Sequence, residues 1–330
     1  MIVTKTAYPR AGLIGNPSDG YWGKTMAFTF RNFSAEVTLY ETPELQILPD
    51  KRDHSVFESI EQLVYDVNLF GYYGGIRLLK ASIRRFHRYC EKQGIELHDR
   101  NFTVRYKSDI PHLVGLAGSS AIITACCRAL ETFYGVTIPN HDFANLVLET
   151  ETKELGISAG LQDRVAQAYE GLVYMDFDKE HMDSRGYGRY ETIDPGLLPN
   201  LYIAYNADLS EGSEVLHNDL RVRFDNGDKD VHDAVELWAG LTDKARACLE
   251  SGKKEQLGDL LNENYDCRAN VCEISEGNRE MIKTARDHGC SAKFTGSGGA
   301  IIGTYEDDDK LEKLKVKFDD MGIELIKPIL

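Results

Sequence analysis

The chain of 330 residues has little of what would tie it to membranes, nucleic acid or disulfide chemistry. No uninterrupted apolar run approaches the roughly 18 residues that suggest a membrane-spanning helix. The opening stretch MIVTKTAYPRAGLIG lacks the apolar core and small-residue cleavage site of a secretory leader. The expectation is a cytoplasmic protein. Basic residues are in deficit, since 38 Lys and Arg stand against 53 Asp and Glu for a formal charge of −15. Such a field repels phosphodiester backbones and anionic lipid, so neither nucleic acid nor membrane is expected as a partner. The seven cysteines are odd in number and include no CxxC pair. Cys126 and Cys127 are adjacent, and Cys267 and Cys272 have no matching His or Cys pair to complete a zinc set, so buried free thiols are expected.

Several nucleotide and catalytic signatures are missing as well. Gly23-Lys24-Thr25 resembles the end of a Walker phosphate loop, but position 18, where that loop needs Gly, is Ser. There is no G-x-G-x-x-G, no H-E-x-x-H and no H-R-D with D-F-G. What is present is an ordinary globular composition, 42% hydrophobic and 28% charged, in a chain long enough for two lobes.

Periodicity and turn residues place the elements. MAFTFRNFSAEVTLYE reads as one or two strands, residues 56 to 92 as helical with a Gly-rich break at 71 to 75, and NFTVRYKSDI as a half-buried strand. Residues 119 to 133 have helical apolar spacing ended by Gly135, and HDFANLVLETETKELG reads as a helix ending near Gly156. A short helix in LQDRVAQAYEG precedes the strand LVYMDF. Beyond TIDPGLLPN come the strand LYIAYN and helices over 231 to 251, 254 to 270 and NREMIKTARDHG. The strand, Gly-rich turn and strand of AKFTGSGGAIIGTYE follow, then the helix DKLEKLKVKFDDMG and a last strand. The alternation predicts an α+β protein with lobes at 1–195 and 196–330.

The strongest chemical signal is PHLVGLAGSSA, where a strand passes through a Gly/Ser cluster directly into an apolar helix. Amides at a helix start are unpaired and lie at the positive end of the helix dipole, which suits phosphate, and small residues let the phosphate come close. A Ser N-cap behind a flexible loop would leave the same trace.

Three stretches together narrow the choice: YPRAGLIGNPSDGY, PHLVGLAGSSA and KFTGSGGA, in that order along the chain. The set resembles the GHMP kinase superfamily, whose middle motif is a Pro, a few residues, then Gly-Leu-x-x-Ser-Ser-Ala. The runs GNPSDGYWGKT, GYYGGIRLLKA, ELGISAGLQDRVAQAYEGLVYMDFDKEHMD and AKFTGSGGA are most similar to the subgroup that phosphorylates D-glucuronate at its anomeric oxygen. GNPSD stands where galactokinases have Gly-Glu-His-Thr-Asp, and Pro9 stands where many members have Gly.

The resemblance implies a two-lobed GHMP kinase fold, with a ribosomal S5 domain 2-like N-terminal lobe and a ferredoxin-like α/β sandwich C-terminal lobe. It implies ATP and Mg2+ as cofactors and a small sugar acid as acceptor. Asp163 falls at the catalytic Asp of the family, and Arg10 where relatives neutralise charge beside it. ATP phosphates would lie on Pro111, Gly115, Leu116, Ala117, Gly118, Ser119, Ser120 and Ala121. Mg2+ would take Ser120 and Glu151, with Glu149 and Glu154 as alternatives on the same acidic helix. Asp19, Asp163, Arg164, Arg77, Gly296, Ser297 and Gly298 are the candidate acceptor-binding residues, the two arginines for a carboxylate. A galactokinase-like, arabinokinase-like or heptose phosphate kinase is the alternative, as is a non-catalytic sugar sensor of the same fold; the oligomeric state is a monomer or a homodimer.

Overall fold

Strand-forming runs of Val, Thr, Phe and Tyr alternate with amphipathic helical stretches along the chain, and the computed structural model describes residues 1–50, 53, 59–60, 74–157, 160–209 and 220–330. In chain order the strands are β1 (Ile2–Ala7), β2 (Arg10–Ile14), β3 (Lys24–Thr29), β4 (Ala35–Thr42), β5 (Gln46–Ile47), β6 (Asn101–Ser108), β7 (Leu172–Asp176), β8 (Arg189–Ile193), β9 (Leu201–Tyr205), β10 (Lys293–Phe294), β11 (Ala300–Thr304) and β12 (Glu324–Ile326). The α-helices are α1 (Gly75–Gln93), α2 (Gly118–Tyr134), α3 (Asn140–Glu149), α4 (Gln162–Tyr169), α5 (Lys179–Arg185), α6 (Lys229–Glu250), α7 (Leu257–Val271), α8 (Glu276–Asp287) and α9 (Asp308–Asp320).

Contacts group these elements into two units, each discontinuous in sequence. The first comprises Met1–Tyr8, Phe33–Ile110 and Gly118–Ile157; the second comprises Pro9–Asn32, Pro111–Ala117 and Ser158–Leu330.

The first unit is built on a sheet of order β1-β4-β6-β5, antiparallel except where the short β5 runs parallel to β6. Register aligns Val3 with Leu39 and Leu39 with Val104, a buried apolar row on one face. Helix α2 packs on β4 and β1. It is buried continuously from Ser120 to Cys127, as its almost uninterrupted apolar sequence requires. Gly135 follows in the left-handed conformation, φ 71°, at the predicted stop.

Two antiparallel sheets form the second unit, of order β2-β3-β7-β8 and β10-β11-β9-β12. Helix α4 packs on β2, β3 and β7, and α7 on β10, β11 and β2. Tyr202, Phe294, Ile301, Leu314 and Phe318 belong to one apolar cluster under α8 and α9. Trp238 is fully buried, and its Nε1 donates to the Asn264 carbonyl at 3.2 Å.

Most predicted elements appear where periodicity put them, with three informative differences. The helix expected to run to Gly156 leaves α-geometry at Glu149 and continues as a π-helical turn over Thr150–Glu154. Strand β8 and the short helix α5 have no counterpart in the sequence reading, because neither has a strong apolar stripe: four of the five β8 residues are not buried and none of α5 is. The helix expected from residue 56 lies mostly outside the described residues until α1 begins at Gly75. All seven cysteines are free thiols and six are buried; burial pushes the Cys126 thiol up to about 12. Among the described residues no helix is long and apolar enough to cross a membrane.

Close backbone packing in the second unit makes one glycine irreplaceable. A Cβ on Gly303 would stand 1.7 Å from the Ser291 carbonyl oxygen and 2.6 Å from the Tyr202 ring. Gly303→Ala is expected to cost about 1–3 kcal/mol of unfolding free energy in urea titrations. An unchanged midpoint would show that β11 is free to shift.

Candidate active site

Arg10 opens β2 and lies under the Gly/Ser loop. Its backbone N–H donates to the Leu116 carbonyl at 3.0 Å, and its Nη1 to the carbonyls of Thr295 at 2.6 Å and Gly115 at 3.4 Å. Nη2 donates to Asp163 Oδ1. One guanidinium therefore joins three stretches, each more than a hundred residues from Arg10 in sequence. Its planar fork of donors is what makes this possible, and a lysine ammonium would not reproduce it. The ion pair is lopsided: the side chain of Arg10 is 4% exposed and that of Asp163 17%. Asp163 Oδ2 accepts no hydrogen bond among the described residues, with Arg164 Nη1 3.9 Å away. A carboxylate fixed by one oxygen and open at the other is equipped to accept a proton or orient a hydroxyl.

Asp163 owes its position to α4, and α4 owes its start to Asp19. Leu161, at the N-cap, offers no side-chain acceptor. Instead Asp19 Oδ2, 142 residues earlier, accepts from the Leu161 N–H at 2.7 Å and the Gln162 N–H at 3.1 Å. Gln162 Nε2 approaches Oδ1 at 3.3 Å. Asp19, 1% exposed, thus supplies the cap its helix lacks and places a negative charge at the positive helix end. Arg164, also buried, turns back to donate from Nη1 to the Gly160 carbonyl.

The loop 111–117 has an unusual backbone. Leu113, Gly115 and Ala117 adopt φ of 60°, 71° and 59°, left-handed at alternate positions. Left-handed residues alternating in this way mark the backbone of an anion-binding nest, in which neighbouring amides turn into one concavity. Two of the three are not glycine, a cost of about 1 kcal/mol or more each that the fold sustains here. Gln167 Nε2 holds the loop end by donating to the Ala117 carbonyl at 3.0 Å. The Thr295–Gly298 turn meets the loop backbone to backbone, and a Cβ on Gly296 would lie 2.6 Å from the Gly115 oxygen.

In the first unit, α2 begins Gly118-Ser119-Ser120-Ala121, with Ser119 half-buried and Ser120 buried. Ser120 Oγ donates to Glu151 Oε1 at 2.8 Å, and both residues are 2% exposed. The π-helical turn explains the choice among the three glutamates. Glu149 pairs with Arg85 and Lys153, and Glu154 with Arg84 and Arg88, while Glu151 is carried to Ser120. Two oxygens on neighbouring corners of a Mg2+ octahedron lie about 3 Å apart, given bonds of about 2.0–2.1 Å. The Ser120 and Glu151 oxygens fit that edge. Among the described residues no group of three or more His, Cys, Asp or Glu forms a denser metal site. Arg77 is exposed on α1 in this same unit.

Two buried cations escaped the sequence reading. Arg268, on α7, donates to the carbonyls of Gly296, at 2.7 Å, and Ser297, and lies 4.6 Å over the Phe294 ring. Helical periodicity gives no sign of it. Lys293 is 1% exposed, and its place just before FTGSGG was the available clue.

The GHMP kinases N terminal domain matches residues 77–171, and the GHMP kinases C terminal region matches residues 245–324. The chain is 44% identical to probable glucuronokinase 2 of Arabidopsis thaliana over 304 residues, covering 90% of this chain and 82% of that one. It is 42% identical to glucuronokinase 1 of the same plant over 303 residues, covering 90% and 83%. Among solved structures, Lactococcus lactis galactokinase complexed with galactose superposes with a TM-score of 0.74, covering all of this chain and 93% of the other at 16% identity. At that identity the likeness speaks for the fold alone.

Gly160 provides a test of the long-range cap. A Cβ there would sit 2.7 Å from Asp19 Oδ2 and push the carboxylate off the amides of α4. Gly160→Ala is expected to cost about 1–2 kcal/mol of stability, the usual worth of a cap. Unfolding at the wild-type denaturant midpoint would show that Asp19 does not anchor this helix.

Proposed function

Because this chain belongs to the GHMP kinase family, we propose that it transfers the γ-phosphoryl group of ATP to the anomeric hydroxyl of D-glucuronate, giving D-glucuronate 1-phosphate and ADP. The observation that carries the reading is the Arg10–Asp163 pair lodged against the left-handed loop 113–117, in a chain 42–44% identical to two glucuronokinases. We further propose family lobes at 1–195 and 196–330; the matched regions fall one in each and set no boundary between them.

Phosphoryl transfer passes through a loose transition state, so positioning and charge neutralisation supply most of the catalysis. In this reading the segment Pro111, Gly115–Ala121 receives the phosphates. The anomeric oxygen bonds to the γ-phosphorus as the bond from that phosphorus to the β-bridging oxygen breaks, and ADP departs with the electron pair. Asp163 takes or orients the hydroxyl proton through Oδ2, while Arg10 holds Oδ1 and offsets the charge. Ser120 and Glu151 would hold Mg2+, which supplies neutralisation of phosphate charge when bound. Asp19, Arg164, Arg77 and Gly296–Gly298 are the residues proposed for the acceptor, the arginines as cations for the sugar carboxylate. The proposed enzyme is cytoplasmic, a monomer or homodimer acting on small molecules, and its acidic charge disfavours nucleic acid and anionic membranes as partners.

ADP release across D-glucuronate, galactose, arabinose and heptose phosphates tests the acceptor. Turnover confined to D-glucuronate is expected, and galactose turnover without it would overturn the assignment. Asp163→Asn should lower kcat by about 10²–10⁴-fold with little change in ATP affinity. Glu151→Gln should raise the Mg2+ concentration for half-maximal rate, and an unchanged Mg2+ dependence would remove Glu151 from the metal.

A further inference from the structure

Among the described residues Lys293 is the most completely buried Lys or Arg of the second unit, and none of its hydrogen-bond partners is a carboxylate. Its three protons go to the Gly12 carbonyl at 2.9 Å, Asn16 Oδ1 at 2.5 Å and the Phe294 carbonyl at 2.7 Å. An ammonium has three donors, so this one is fully committed. The acceptors come from Gly12 within β2, from Asn16 in the turn after β2 and from β10 itself. The ammonium therefore ties the bend 12–16 to the strand that leads into the Thr295–Gly298 turn.

The tie leads to the reacting groups in one step. Thr295, two residues after Lys293, offers the carbonyl that receives Arg10 Nη1 at 2.6 Å, and the same carbonyl receives the Gly12 N–H at 2.9 Å. Asn264 braces the far end of the bend, accepting from the Gly15 N–H at 2.7 Å and donating to the Asn16 carbonyl at 3.2 Å. Without the ammonium, three buried oxygens would lose a charge-assisted donor, and the register between residues 12–16 and Thr295 would rest on the Gly12 N–H bond to the Thr295 carbonyl and a 3.3 Å bond from Asn16 Nδ2 to the Phe294 carbonyl.

Resting on the kinase reading above, we propose that Lys293 is a positioning residue: its protonated side chain holds the Thr295 carbonyl at the place from which Arg10 is aimed at Asp163. The charged groups that bear on it are Arg268 from α7, Arg10 from β2 and Asp19 from the turn beyond β2. Burial pushes the ammonium well below the usual lysine range, Arg268 and Arg10 push it the same way, and Asp19 opposes them. Its partner strand β11 contributes no ionisable side chain. The sign follows from linkage: as pH rises, Lys293 loses its proton before an exposed lysine would, the pin loses a donor, and the rate falls.

The test is kcat against pH, on the whole protein, for wild type, Asn16→Asp and Lys293→Met. Wild type should show an alkaline limb below the range of a free lysine, about 10.4. Asn16→Asp puts a carboxylate where the amide oxygen receives the ammonium and should move that limb upward by about one pH unit or more. Lys293→Met should lower kcat about tenfold or more, leave the KM for ATP within a few fold and lack the limb. If Lys293→Met proves unfolded by circular dichroism, the limb of Asn16→Asp decides alone. An Asn16→Asp limb that coincides with wild type, or a folded Lys293→Met with wild-type kcat, overturns the assignment. Absence of turnover in wild type with every sugar would instead defeat the kinase reading, and the positioning role with it.

Discussion

The second unit is organised around a single guanidinium. Arg10 is held by the Thr295 and Gly115 carbonyls and spends its remaining Nη on Asp163, so three stretches far apart in sequence share one charge. Burying an arginine is costly unless its donors are satisfied and its charge is met. The fold meets the charge and the two Nη groups with backbone carbonyls from two of the Gly-rich segments and one carboxylate from α4, while the buried Nε has no partner among the described residues. That arrangement explains the small residues around it. Gly115 and Gly296 approach so closely that a Cβ on the latter would stand 2.6 Å from the Gly115 oxygen. The same closeness that packs the loops against Arg10 leaves the loop 111–117 in its alternating left-handed form.

Support for Asp163 comes from the other side. Its helix is short, has no cap of its own and borrows one from Asp19. Asp19 follows the bend that Lys293 pins. The Asp163 carboxylate is thus located twice, through Arg10 at its oxygen and through Asp19 at its backbone. Preorganisation of this kind lets an enzyme stabilise charge without moving dipoles at the moment of reaction.

Much of this was legible in the chain. The Gly/Ser loop follows from local residue patterns, because glycine and serine at close backbone approaches leave a visible signature, while the places of Asp163 and Arg10 come from the resemblance of the three motifs to the family. The helix stop at Gly135 is equally local. Other features were not legible, for reasons of distance. Glu151 could not be separated from Glu149 and Glu154 by spacing, since the π-helical turn that turns it toward Ser120 departs from the 3.6-residue period on which such spacing rests. Arg268 and Lys293 belong to the site only through tertiary packing, and a basic residue in a helix or before a turn reads as solvent-exposed. The capping role of Asp19 joins positions 142 apart, beyond the reach of any local capping rule.

The most direct measurement is a crystal structure of the protein with an unreactive ATP analogue and D-glucuronate. The account predicts the triphosphate on the amides of residues 113–121 and the anomeric oxygen within hydrogen-bond distance of Asp163. A triphosphate bound away from that segment, or a sugar whose anomeric oxygen lies out of reach of Asp163, would contradict it.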